Sequence, residues 1–219
     1  MAINETKEVV CLHGMWMPGS EMAYVKMQLE NQHSFNCSLF SYPSVKSTLD
    51  ENARLLAEYI DKQTSGSVHL VGHSLGGVLA LRMLALNPDA PVARVVCLGS
   101  PLCGSRAAST LNVHEWGNAI LGKTIIAGVV DESASEWASQ VTGFTEIGVV
   151  AGTVPLGLGR LVANFEDAND GTVAVAETRL PGIRDHISLP VNHTGMVVSK
   201  DVADHTAAFL KRGEFLREE

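Results

Sequence analysis

Three residue types that can do chemistry together stand far apart in the chain, each in a glycine-containing bend. Ser74 lies in Gly72-His73-Ser74-Leu75-Gly76-Gly77, Asp170 in Asn169-Asp170-Gly171 and His193 in Asn192-His193-Thr194-Gly195-Met196. A serine hydroxyl is a poor nucleophile at neutral pH. It needs a base within hydrogen-bond reach and a third group that orients the base and stabilises its charged form. The chain order Ser, Asp, His supplies all three. The chemistry open to such a set is acyl transfer, which also needs donors aimed at a developing oxyanion. The backbone N–H of Leu75, directly after the serine, is one. The loop His13-Gly14-Met15-Trp16-Met17-Pro18-Gly19 supplies the other, expected at Met15. Both are main-chain roles, and His13 itself reads as a brace for its loop.

Two of these roles have rivals. His186 precedes Ile187-Ser188-Leu189 and so stands at the amino end of the last strand, the wrong edge if that strand runs parallel to the others. Asp167 is the main rival for the acid and Asp131 a distant one. Asp170 is preferred because Asn-Asp-Gly makes a sharp turn that would present the carboxylate from a strand end, although a residue so placed can also serve only its own turn. His33, His69, His73, His114 and His205 read as packing or surface histidines.

The elements that must position these residues emerge from hydrophobic patterning. Val68 to Val71 is a strand, the sequence then bends at Ser74, and Val78 to Leu86 continues as a strong helix former ended by Asn87-Pro88. Gly72 and Gly76 flank the serine at i−2 and i+2, where side chains would collide as strand and helix start close together. Glu8 to Leu12 is a continuous apolar run, the pattern of a strand buried on both faces. Helix at 21–32, strand at 35–42, an amphipathic helix at 49–63 and strand at 92–98 come next. From 105 to 143 the pattern loosens into short segments, Leu111–Leu121 and Ile125–Val130, with Trp116 and Trp137. That is too long for a plain connection, and it reads either as a small cap or as two ordinary packing helices. Strands at 145–153 and 186–191 and a helix at 200–212 close the chain. Leu156-Gly157-Leu158-Gly159 lacks the third glycine of a dinucleotide loop. Alternating strands and helices predict an α/β fold, a parallel sheet covered on both faces that binds ligands at the strands' carboxyl ends. A single domain over 1–219, with a cap-like insertion around 105–143, is expected.

Composition narrows the partners. The 219 residues are 46% hydrophobic and 18% charged, enough for one sizeable core. The net charge of −8 comes from dispersed Asp and Glu with no basic stripe, which argues against nucleic acid and anionic membrane surfaces. The cysteines, Cys11, Cys37, Cys97 and Cys103, include no C-x-x-C pair, so they suggest no metal site, and Cys11 and Cys97 lie in apolar runs as small hydrophobes. No apolar run precedes Val9 and none approaches a membrane span, so a cytoplasmic location without an integral membrane segment is expected. There is no internal repeat or low-complexity segment.

Together, the His-Gly loop after the first strand, the Gly72–Gly77 bend, Asn169-Asp170-Gly171 and Asn192–Met196 resemble the α/β-hydrolase family, and within it the small bacterial serine esterases and lipase-like hydrolases. The resemblance spans essentially the whole chain, with the motifs in the family's order. It implies a minimal α/β-hydrolase fold, a serine triad, no metal or organic cofactor, and a small-molecule or lipid carboxylic ester as substrate. By carry-over, Ser74 is the nucleophile, His193 the base, Asp170 the acid, and Met15 and Leu75 the oxyanion donors. The His-Gly-Gly-Gly run of many esterases is reduced here to His13-Gly14-Met15-Trp16, which suggests bulky apolar walls, and the amino-terminal strands of larger members are absent. Met15, Trp16, Met17 and Leu102 are expected to line an apolar acyl pocket. A thioesterase, phospholipase or acyltransferase would use the same triad. A non-catalytic ligand-binding member would usually lack one of the three residues.

Overall fold

Runs such as Val9-Val10-Cys11-Leu12 have no polar face, so they are satisfied only in a sheet covered on both sides. The computed structural model describes residues 6–63, 66–104, 134–156 and 167–217. Its sheet comprises β1 (Glu8–Leu12), β2 (Asn36–Phe40), β3 (Val68–His73), β4 (Val92–Leu98), β5 (Glu146–Gly152) and β6 (Asp185–Leu189). The order is β2-β1-β3-β4-β5-β6, and every pairing is parallel. Among the described residues the α-helices are α1 (Ala23–His33), α2 (Leu49–Gln63), α3 (Leu75–Leu86), α4 (Ala134–Val141) and α5 (Lys200–Arg212).

The period-two alternation of strand side chains divides the core into two layers. Val10, Leu12, Leu70, Val95, Cys97, Ile147 and Val149 pack with Leu56 and Ile60 of α2, Leu79 and Leu84 of α3 and Trp137 of α4. On the other face Val9, Cys11, Val71, Val96, Leu98 and Val150 meet Val25 and Leu29 of α1 and Phe209 and Leu210 of α5. Cys11 and Cys97 are wholly enclosed, and burial pushes the Cys97 thiol up to about 12, so it stays neutral and packs as an apolar group. Helix α3 is buried along most of its length, in contact with both α2 and α4.

This strand order fixes where a site can form. The chain leaves β1 toward β2 on one side and returns past it to β3 on the other. The connections on either side of that reversal diverge, and a crevice opens at the carboxyl ends of β1 and β3. Those ends carry the His13–Gly19 loop and Ser74.

Several expected boundaries shift by a few residues. A 3-10 turn over Gly19–Met22 precedes α1, the strand expected at 35–42 is confined to 36–40, and the one expected at 186–191 runs over 185–189, the residues that find ladder partners. Of the loosely patterned segment, residues 105–133, with Trp116, His114 and Asp131, lie outside the described residues, as do residues 157–166, which hold most of the glycine-rich run. The remainder of the segment begins with α4, whose Trp137, Ala138 and Val141 are buried in the core and whose Trp137 ring lies 5.2 Å from the Arg82 guanidinium of α3. Among the described residues no helix is long and apolar enough to cross a membrane.

Candidate active site

Strand β3 turns into α3 at Ser74, which adopts φ 52° and ψ −119°. A side chain in that region is strained, a cost of about 1–3 kcal/mol that persists only where the surroundings over-determine the conformation. Here the constraint comes from both flanking glycines. A Cβ on Gly72 would stand 2.4 Å from the Gly76 carbonyl carbon, and one on Gly76 would stand 2.5 Å from the Leu12 carbonyl oxygen. Nothing larger than hydrogen fits at either position. The Ser74 N–H donates to the Leu98 carbonyl at 2.8 Å and tethers the bend to β4. Ser74 thus stands at the N-terminus of α3, where the first N–H groups lack intrahelical partners and the helix dipole favours negative charge.

Asp170 and His193 meet from opposite sides of β6. His193 Nδ1 and Asp170 Oδ2 are 2.7 Å apart, with Asp170 1% exposed. The other carboxylate oxygen, Oδ1, accepts from the N–H groups of Thr172 (2.9 Å) and Val173 (2.7 Å). The His193 N–H donates to the Asp170 carbonyl at 2.9 Å, so the aspartate holds both the ring and the main chain of the histidine. With Nδ1–H directed to the carboxylate, Nε2 carries the free lone pair. The His193 and His73 rings are 4.8 Å apart between centroids, which brings His193 beside the residue preceding Ser74. Among the described residues no hydrogen bond joins the Ser74 hydroxyl to His193 Nε2. Contacts of this kind are commonly long in resting enzymes and tighten when substrate binds.

The loop after β1 is held with one donor left over. The Gly14 N–H is taken by Glu21 Oε2 at 2.7 Å and the Trp16 N–H by Ser44 Oγ at 3.2 Å, while among the described residues the Met15 N–H has no acceptor. His13 sets the orientation of that remaining N–H. Its Nδ1–H donates to the Gly14 carbonyl at 2.6 Å, its Nε2 accepts from the Tyr42 N–H at 3.2 Å, and its ring stacks on Tyr42 at 4.3 Å. A trans peptide is planar, so fixing the Gly14 carbonyl directs the Met15 N–H the opposite way. Burial lowers the His13 pKa, which keeps the ring neutral as this pattern of one donor and one acceptor requires. Trp16 takes the left-handed conformation, φ 61°, and projects outward at 54% exposure, with Met17 next to it at 43%. Leu102 is enclosed in the core layer of α2 and α3, and the Met15 side chain packs against that layer.

The rival residues stand elsewhere. His186 is the second residue of β6, at the amino edge, and its Nε2 lies 2.9 Å from Thr178 Oγ1. Burial, reinforced by Arg179, pulls its pKa down to about 4. Asp167 is exposed. His69 is buried within β3, far down toward about 4 through burial and the nearby Arg94. His73, read from sequence as packing, is 2% exposed, and its Nδ1 lies 3.2 Å from Glu21 Oε1. Glu21 had no signal in the sequence beyond its place as the first residue of the helix expected at 21–32, and the structure puts it in the 3-10 turn before α1. Among the described residues no three His, Cys, Asp or Glu side chains converge as metal ligands.

A parallel six-stranded sheet with helices on both faces, a strained serine between β3 and α3, and an Asp–His pair beyond β5 and β6 define an α/β-hydrolase architecture. A family model described as the alpha/beta hydrolase family matches residues 9–214, and the chain belongs to that family. Lipase LipV of Mycobacterium tuberculosis is 43% identical over 49 residues, 22% of this chain and 19% of that lipase, so the match spans about a fifth of the relative's length. Among solved structures, the mature form of Bacillus licheniformis lipase BlEst2 superposes with a TM-score of 0.75 at 20% identity, covering 94% of this chain and 91% of that one. The metagenomic carboxyl esterase MGS0156 gives 0.70 at 17% identity, covering 94% and 75% respectively. At these identities the structural likeness is one of fold.

Proposed function

We propose that the protein is a serine hydrolase of carboxylic esters that works through a covalent acyl-enzyme. The observation that carries this reading is the 2.7 Å contact between buried Asp170 and His193, set beside the strained Ser74. In the first step Ser74 Oγ attacks the ester carbonyl carbon while His193 Nε2 takes its proton. The oxyanion is held by the Leu75 and Met15 N–H groups. Collapse expels the alcohol, which leaves with the proton from His193. In the second step water, deprotonated by His193, attacks the acyl-serine, and collapse returns the proton to Ser74 as the acid departs. Asp170 keeps His193 in the tautomer that presents Nε2 and stabilises the imidazolium in both steps. The exposed Trp16 and Met17 offer apolar walls for an acyl or alcohol group of a small-molecule or lipid ester.

Hydrolysis of p-nitrophenyl esters from acetate to palmitate by the wild type, Ser74→Ala and His193→Ala tests this. Turnover by the wild type that disappears in both variants supports the reading, and the chain-length optimum begins to define the pocket. Wild-type protein that cleaves no ester in the series, or Ser74→Ala protein that cleaves as well as wild type, overturns it.

A further inference from the structure

Acyl transfer by Ser74, Asp170 and His193 leaves one buried ionisable pair without a task. The Glu21 side chain is 5% exposed and that of His73 2%. A carboxylate so far removed from water is costly unless specific partners replace its hydration. Those partners are particular groups. Glu21 Oε2 accepts the Gly14 N–H at 2.7 Å, Oε1 lies 3.2 Å from His73 Nδ1, and His73 Nε2 donates to the main-chain carbonyl of His193 at 3.1 Å. A continuous line of polar contacts therefore runs from the loop that carries the Met15 N–H, through Glu21 and His73, to the main chain of the base. The line passes directly beside the nucleophile, since a Cβ on Gly14 would stand 3.2 Å from His73 Nδ1 and 3.4 Å from Ser74 Cβ.

We propose that Glu21 and His73 are positioning residues that hold the oxyanion loop and His193 in one frame, so that donor and base keep their separation from the nucleophile through both acyl-transfer steps. The proposal rests on the serine-hydrolase reading. Neither residue reaches the reacting atoms, so the effect is geometric. Burial alone would raise the Glu21 carboxyl, but the close approach of His73 and the hydrogen bond from the Gly14 N–H outweigh it, and the pKa falls below its ordinary value. The group is therefore an anion, and its charge is met locally by the Gly14 N–H and by the His73 ring beside it. Glutamine at position 21 preserves the framework by hydrogen bonds alone. Its amide oxygen can accept from Gly14 and its N–H can donate to Nδ1 of a neutral His73, whose Nε2–H remains on the His193 carbonyl.

The test is kcat and KM for Glu21→Ala, Glu21→Gln, His73→Ala and the Glu21→Ala/His73→Ala double variant on the shortest p-nitrophenyl ester that the wild type cleaves, with Ser74→Ala as the blank. Misplacement of catalytic groups by about an ångström costs on the order of 100-fold in rate. Glu21→Ala and His73→Ala are each expected to lose about 10- to 100-fold in kcat with KM changed by less than about threefold. The double variant should be no worse than the poorer single one, because the two act as a unit. Glu21→Gln should recover most of the loss. A brace for the fold alone would lower the urea midpoint and leave kcat of the folded fraction unchanged. That result, losses that multiply in the double variant, or a glutamine variant as poor as the alanine variant would each overturn the proposal. If Glu21→Ala does not fold, Glu21→Asp, one methylene too short to reach both Gly14 and His73, takes its place with the same expected loss. An inactive wild type sinks the hydrolase reading and this proposal with it, whereas an active wild type matched by Glu21→Ala sinks this proposal alone.

Discussion

Asp170 divides its carboxylate between two demands. Oδ1 ties down its own turn through the Thr172 and Val173 N–H groups, and Oδ2 faces His193. The turn-forming and the orienting readings of Asn169-Asp170-Gly171 are thus served by different oxygens of one side chain. Asparagine at 170 has nearly the same size and can keep one oxygen toward the turn, but its amide N–H then meets His193 Nδ1 and favours the wrong tautomer. Asp170→Asn is expected to lower kcat by about 10⁴-fold with little change in KM, as loss of an orienting carboxylate does in a comparable triad. Steady-state kinetics checks this, and a variant within about tenfold of wild type would remove Asp170 from the acid's role. His13 acts at the same scale from the other side of the crevice. Replacing it with alanine frees the Gly14–Met15 peptide plane, and the expected result is a fall in kcat of about 10- to 100-fold, less than the roughly 100- to 1,000-fold of an oxyanion donor lost outright. An unchanged kcat in His13→Ala would place the second donor elsewhere.

The bend between β3 and α3 is the element on which the site depends, and its steric logic is strict. At Gly72 an added Cβ would meet backbone atoms of Gly76 and Gly77 at 2.4 Å, and backbone cannot rotate out of the way as a side chain can. Gly72→Ala must push α3 off β3 and carry the Leu75 N–H with it. It is expected to destabilise the protein by about 2–4 kcal/mol and to abolish ester cleavage even where it remains folded, with urea midpoints and activity of the refolded protein as the measure. A stable, active Gly72→Ala protein would show that the close approach is not needed. This element was legible in the sequence because strand, glycines, serine and helix are contiguous, and so were the strands themselves, whose apolar runs have no second interpretation once they alternate with helices. The placement of His186 at the amino edge of β6 was legible for the same reason, since strand direction is set by the alternation. The Glu21–His73 contact was not. It joins a turn after β1 to the end of β3 across the crevice, a proximity set by strand order and by the depth of the elbow, and nothing local to either residue encodes it. Strand ends were also missed by a few residues, because ladder partners rather than propensity decide where pairing stops.

Over the whole molecule two histidines, buried His69 and half-buried His186, tie stability to pH. Burial and Arg94 bring His69 down to about 4, and burial with Arg179 does the same to His186, against about 6.5 in the unfolded chain. Above pH 6.5 both states are neutral at these residues and nothing is lost. As pH falls from about 6.5 toward 4 the unfolded chain takes up protons that the folded protein excludes, so stability declines through that window, by up to about 3 kcal/mol for His69. Urea unfolding at pH 7.5, 6.5, 5.5 and 4.5 should show the decline starting before carboxylates titrate, and His69→Gln should reduce its slope. A flat profile between pH 7 and 5 would contradict it. The same fold presents Ser74 at the carboxyl edge of the sheet, and the proposed ester hydrolysis stands or falls on that residue. Incubation with a fluorophosphonate probe, followed by mass spectrometry of intact and digested protein, tests it most directly. One adduct per chain, on the peptide that contains Ser74, absent from Ser74→Ala and slowed in His193→Ala, is the expected result. No adduct on the folded wild type, or an adduct on another serine, would contradict it.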